Sequence, residues 1–250
     1  MLRFLLFFGL ILNLAACTSL GGRDPEQADL HLRVGSSLLE NGSYPQAMTE
    51  LLKAEQLDPE SAVIQNNLGL VYFAREKNEM AEKHIRRAIR LDPTFTEAKN
   101  NLGRVLTEKS EFAAAEKILK EALQDLTFIT PEKIHLNLGY LSFRQGRYRE
   151  AKGRLLKAIE FQRSNCMAQT LYGRSLFELK DFSAAAASLD RAIGFCQRGT
   201  LDEPQYYSAL AYYQLGDARK AEVRLEEITK LYSNGKYYDR ARSMLETMRR

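Results

Sequence analysis

The feature that most constrains this chain is a ladder of small residues that recurs every 34 positions, or 36 in two places. Counted from Ala28, the eighth position of successive units is Gly35, Gly69, Gly103, Gly139, Gly173 and Ala209. The twentieth is Ala47, Ala81, Ala115, Ala151, Ala185 and Ala221, and the twenty-seventh is Ala54, Ala88, Ala122, Ala158, Ala192 and then Ile228. Between them, at the twenty-fourth, stands a large aliphatic: Leu51, Ile85, Leu119, Leu155, Leu189 and Leu225. Amphipathic helices surround the ladder. In residues 62–95, Ile64, Leu68, Val71 and Tyr72 share one helical face and Ala81, Ile85, Ala88 and Ile89 another, with a polar break at Glu76-Lys77-Asn78. Small residues let the two helices approach while the aliphatic fills the space between them. No such hairpin buries its stripes alone, so the units must stack.

The unit length, the G-x-x-Y and A-x-x-x-L spacings and the closing Pro59 and Pro93 resemble the tetratricopeptide repeat. The resemblance implies an all-α, right-handed superhelical solenoid of six helix hairpins with a C-terminal capping helix. The expected units are 28–61, 62–95, 96–131, 132–165, 166–201 and 202–235, and the stripe Tyr237, Ala241, Met244, Leu245, Met248 marks the cap over 236–250. A formal net charge of +4 without a basic run excludes nucleic acid as the expected partner.

Residues 1–16 stand apart. Arg3 is their only charge and Phe4–Ala16 is apolar except for Asn13, a run shorter than the ~20 residues that cross a bilayer. It reads as the h-region of a signal peptide. The run ends Leu14-Ala15-Ala16-Cys17, which resembles a bacterial lipobox. That resemblance implies cleavage before Cys17, lipidation of Cys17 and a stable membrane anchor. With Thr18 rather than an aspartate after the cysteine, it also implies the periplasmic face of the outer membrane. Residues 17–27 then form a lipidated Gly-, Ser- and Pro-bearing tether, whose ten residues after Cys17 reach at most roughly 35 Å.

Capping residues punctuate the units: Asp58-Pro59-Glu60-Ser61, Asp92-Pro93-Thr94, Thr130-Pro131-Glu132, and Asp202 ahead of Pro204. The two-residue insertions fall near 128–130 and 197–201. Cys166 and Cys196 open and close the fifth unit, where antiparallel helices bring their ends together. Two readings stand, a structural disulfide or two small buried hydrophobes, and an oxidising periplasm favours the disulfide.

His31, His84 and His135 are far apart, and His31 and His135 fall at position 4, where satisfied core histidines are expected. No H-E-x-x-H, G-x-S-x-G, P-loop or GxGxxG occurs. The expectation is no catalytic residue, metal site, cofactor or small-molecule substrate. The resemblance places binding on the concave face, lined by positions 2, 5, 6, 9, 12 and 13 of the first helices. The candidate peptide groove is Asn67, Leu70, Phe73, Asn101, Arg104, Asn137, Tyr140, Phe143, Arg174, Phe177 and Tyr213. Its rings would supply contact area and its amides would hold a peptide backbone. For any single ring, packing between first helices is the other reading.

Six repeats behind a lipobox, with Asn-Asn-Leu-Gly at 66–69 and 100–103, resemble the type IV pilus biogenesis lipoproteins, the family of PilF, PilW and the pilotin Tgl. The resemblance implies a protein partner at the outer membrane, a secretin subunit, whose assembly this chain would assist. A second class stays open: an adaptor for β-barrel insertion, as in BamD-type lipoproteins, or for peptidoglycan enzymes, as in the NlpI type. Leu231-Tyr232-Ser233-Asn234-Gly235 before a short helix is similar to the BamD group.

Overall fold

The computed structural model describes residues 24–196 and 201–249. The expected leader, the lipidated Cys17, the tether up to residue 23 and most of the second insertion lie outside the described residues. The described chain forms thirteen α-helices and no strand. Six hairpins follow one another: α1 (Pro25–Glu40) with α2 (Tyr44–Leu57), α3 (Ala62–Ala74) with α4 (Asn78–Leu91), and α5 (Thr96–Glu108) with α6 (Phe112–Ala122). Then come α7 (Pro131–Arg144) with α8 (Tyr148–Phe161), α9 (Cys166–Glu178) with α10 (Phe182–Phe195), and α11 (Glu203–Gln214) with α12 (Ala218–Leu231). A last helix, α13 (Tyr238–Met248), lies on α12. Each hairpin packs on the one before it, the arrangement of a solenoid.

The ladder sets the distance within each hairpin. A Cβ added at Gly35, Gly69, Gly103, Gly139 or Gly173 would lie 2.7, 2.4, 2.3, 2.6 or 2.6 Å from a side-chain carbon of Leu51, Ile85, Leu119, Leu155 or Leu189. The eighth position is thus the socket into which the aliphatic of the twenty-fourth position fits. The alanines of positions 20 and 27 are fully buried or nearly so in every hairpin that has them.

One turn serves all six hairpins. Its left-handed residue is Gly42, Glu76, Ser110, Gly146, Lys180 or Gly216, with φ between 59° and 78°. It follows the end of each first helix, and three hairpins use a non-glycine residue there, at a steric cost that the packed helices impose.

Three expectations at the helix ends need correction. Helix α1 begins at Pro25, with Asp24 accepting a hydrogen bond from the Gln27 N–H at 3.0 Å, so the last three residues assigned to the tether are helical. Thr130 precedes α7 without a side-chain capping bond. Asp202 does not cap α11 with its carboxylate; Oδ2 instead accepts the Tyr237 N–H at 2.6 Å, tying the entry to α13 down to the sixth hairpin. By contrast, Ser61, Asn165, Asp181 and Asp217 cap their helices through the side chain.

Cys166 and Cys196 form a disulfide, with their Cα atoms 5.0 Å apart. It joins the first residue of α9 to the residue that follows α10.

Candidate concave groove

The first helices present two adjoining concavities that share Arg104 and Glu108. One, of about 770 Å³, is lined by Leu39, Tyr44, Leu70, Phe73, Arg104 and Glu108, among others. The other, of about 630 Å³, is lined by Leu136, Asn137, Tyr140, Phe143, Met167 and Arg174, and also by Arg144, Glu203 and Lys236. Together they make a trough along α3, α5, α7 and α9.

Rings and guanidinium groups alternate down the trough. Arg104 lies over Phe73 at 4.8 Å, and Arg174 sits between Phe143 and Tyr207, 4.4 Å from each ring. Arg174 also pairs with Glu203, so a single guanidinium joins the fourth, fifth and sixth hairpins. Tyr140 Oη donates to Glu108 at 2.8 Å, while Arg144 donates to both Glu108 at 2.8 Å and Tyr140 at 2.9 Å. Burial raises the Tyr140 phenol, with the nearby Glu108 adding to it against the lowering effect of Arg144. The phenol therefore stays neutral and the arginine charged at neutral pH. Arg104 is exposed, and it donates no hydrogen bond and forms no ion pair among the described residues. Among those residues no group of three or more His, Cys, Asp or Glu could hold a metal ion.

The structure brings Leu70, Phe73, Arg104, Asn137, Tyr140, Phe143 and Arg174 into the trough and sends the other candidates elsewhere. Each of the three amides donates one hydrogen bond to the preceding repeat. Asn67 donates to Ser36 at 2.8 Å, Asn101 to Asn66 at 3.0 Å and Asn137 to Asn100 at 2.8 Å. One N–H of each amide thus holds neighbouring first helices together, and of the three only Asn137 lines the trough. Phe177 is half-buried, packs edge-on against Phe182 and Tyr207 at 5.3 and 5.7 Å, and lines neither concavity. Tyr213 is half exposed and lines neither concavity.

Sequence reasoning did not single out Glu108, Leu136, Arg144, Met167, Leu171 and Glu203. All of them occupy positions 2, 5, 6 or 13 of their units, so the positional rule contained them. Lys236, beyond the last unit, carried no such signal. His135 is a further correction: it is buried and stacked on Phe161 at 6.3 Å, but its Nδ1 has no hydrogen-bond partner. His31 pairs with Glu50 at 2.6 Å and His84 with Gln65 at 2.9 Å.

A stack of such hairpins with a groove on its first helices defines the tetratricopeptide-repeat class, whose members are in general interaction scaffolds rather than catalysts. Family models described as "TPR repeat" or "Tetratricopeptide repeat" match residues 35–76, 62–95, 96–126, 136–199 and 205–235. The chain is a tetratricopeptide-repeat protein. Its fold resembles that of PilF from Pseudomonas aeruginosa, at 22% identity over 88% of this chain and 98% of that one, with a TM-score of 0.73. It is also similar to PilW, described as a widely conserved type IV pilus biogenesis factor, at 19% identity over 91% of this chain and 100% of that one, with a TM-score of 0.76. A segment of the Cut9–Hcn1 hetero-tetramer of the APC/C, 18% identical, superposes with a TM-score of 0.80 over 90% of this chain and 44% of that one. These likenesses define the fold. A comparison with curated proteins gives no match.

Proposed function

We propose that this chain is a lipid-anchored protein-binding factor of the outer membrane that takes a segment of a pilus secretin in its concave trough and assists secretin assembly. The observation that carries the reading is the trough itself. It offers rings for contact area, and Arg104 offers a guanidinium whose hydrogen-bonding capacity no described residue takes up. The fold spans essentially the whole of two pilus proteins, PilF and PilW, which supports pilus assembly as the setting. The lipobox resemblance at Leu14–Cys17 supports the anchor and the periplasmic face.

The test is a crosslinked capture from membranes in a pilus-bearing host, with Cys17→Ala as control. The wild-type chain should take up a palmitate analogue and co-purify with the secretin, whose multimers should fall in a strain lacking this chain. The Cys17→Ala form should remain unlabelled. Capture of a β-barrel insertase or a cell-wall hydrolase instead of secretin would overturn the pilus reading.

A further inference from the structure

One edge of the solenoid collects the starts of the first helices and the ends of the second. The Cys166–Cys196 disulfide, the Thr96–Asp125 hydrogen bond and the Asp202–Tyr237 hydrogen bond all close across it. Asp24, which caps the start of α1, lies on the same edge. Asp24 stands seven positions after Cys17, at most ~25 Å of extended chain.

Large apolar side chains are exposed along this edge. Leu91, Phe161, Phe195 and Leu231 are the last residues of α4, α8, α10 and α12, and each is more than a third exposed. In the third hairpin the α6–α7 loop takes over, with Leu126 96% and Ile129 91% exposed. The opposite edge shows Met80, Tyr213 and Leu215, none above half exposed.

The loop is built to present these two side chains. Asp125 Oδ1 accepts the Thr127 N–H at 2.9 Å and its hydroxyl at 2.6 Å, while Oδ2 accepts the Thr96 hydroxyl at 2.5 Å. Phe128 packs inward against the core. The loop's carboxylate is thus engaged by hydroxyls and a backbone N–H, and besides the uncharged Gln124 and Thr127 its exposed side chains are Leu126 and Ile129. A protein partner needs a complementary surface, whereas lipid needs only apolar groups that project beyond their neighbours.

We propose that the α6–α7 loop is a lipid-contacting tip: Leu126 and Ile129 enter the headgroup region and seat this edge of the solenoid on the membrane. The inference rests on the anchor at Cys17 proposed above. Seating by this edge would leave the trough, on the flank between the edges, open to a partner held at the membrane.

The chain has no tryptophan, so one introduced residue reports its own surroundings. Full-length Leu126→Trp, Ile129→Trp and, on the opposite edge, Leu215→Trp are reconstituted in phosphatidylethanolamine–phosphatidylglycerol vesicles with brominated acyl chains. Helical content checks that each variant is folded. The two loop variants should show blue-shifted emission quenched about twofold or more, with the Leu215→Trp variant essentially unquenched. Equal quenching of all three, or none in the loop, overturns the proposal. A blue shift that appears only when membrane proteins are added assigns the loop to a protein contact and overturns it as well. Intact mass reports acylation of Cys17 separately. If Cys17 is unmodified the anchor reading fails, and its thiol, the one left outside the disulfide, is coupled to a maleimide lipid. The loop is then tested at the same distance from the bilayer.

Discussion

The two halves of the solenoid hold their repeats together by different chemistry. Across the seams of the first four hairpins, neutral amides and hydroxyls meet on the first helices, as Asn67 with Ser36, Asn101 with Asn66 and Asn137 with Asn100. Ion pairs such as Arg87–Glu55, Lys109–Glu82 and Arg147–Glu116 cross these seams as well. From the fourth hairpin onward, rings and a largely buried guanidinium take the place of the amides on the first helices, and a disulfide closes the fifth hairpin itself. Arg174 is clamped by Phe143, Tyr207 and Glu203, and Tyr206 stacks on Tyr237 at 4.6 Å. Asp190 gathers Ser208 at 2.8 Å, Tyr212 at 2.6 Å and Arg224 at 3.0 Å, raising the Tyr212 phenol to about 12 through that hydrogen bond. On the first helices an amide contact can shift at the cost of one neutral hydrogen bond, whereas the later contacts between rings and guanidinium resist. The trough spans the change from one kind to the other, with Arg104 on the amide side and Arg174 on the clamped side. The difference predicts a solenoid that adapts at its N-terminal half while its C-terminal half stays rigid.

Removing the disulfide breaks the contrast most strongly. A bridge closing a loop of about 30 residues contributes about 3–4 kcal/mol in the chain-entropy model. Because a solenoid unfolds by neighbouring units, hydrogen exchange in Cys166→Ser/Cys196→Ser should speed up in α9–α12 while α1–α4 stay as they were. Uniform acceleration along the chain would erase the division. Next in size is Arg174→Ala, which leaves the largely buried Glu203 without its cation and two rings without theirs. A loss of about 2–3 kcal/mol should appear in denaturant melts, with Arg174→Lys recovering only part of it because an ammonium cannot lie flat between two rings. Asn137→Ala should cost about 1 kcal/mol, one neutral hydrogen bond. A loss as large as that of Arg174→Ala would show that the amide seams are as rigid as the clamp.

The smallest effect is one of pH. Burial lowers both His84 and His135 from the ordinary 6.5, so the folded state favours the neutral imidazole. The unfolded chain then binds more protons as pH falls, and stability declines below about pH 6.5 toward the folded-state values. His135→Phe should flatten this decline in the C-terminal half, measured as melting temperature against pH, and leave the His84 contribution in place.

The ladder was legible in the sequence because one contact repeats: an aliphatic at position 24 enters the socket that a glycine leaves at position 8 in five of the six hairpins. The trough was legible only in part. Position 12 faces it in Phe73 and Phe143, but Phe177 packs against Tyr207 from the next hairpin and lines neither concavity. Thr107, at the same position, is buried and donates to the Gly103 carbonyl at 2.8 Å. Such outcomes depend on what the following repeat brings to the seam, and a single-repeat pattern does not contain it. The asparagines show the same limit. Their period was visible, but not that the donor at position 6 finds an acceptor in the preceding repeat, at position 5 for Asn101 and Asn137 and at position 9 for Asn67. Asp202 was read as a cap for α11 by its place before Pro204, whereas its partner, the Tyr237 N–H, lies 35 residues away.

Site-specific photocrosslinking in living cells tests the central claim most directly. A photoreactive side chain at Met167, exposed on the wall of the trough, is compared with one at Leu156, equally exposed on the second helix α8. Binding in the trough should give a crosslink from position 167 to a secretin subunit, weakened by Arg104→Glu, and none from position 156. A secretin crosslink from 156 with none from 167 would place the partner on the other face and contradict the account.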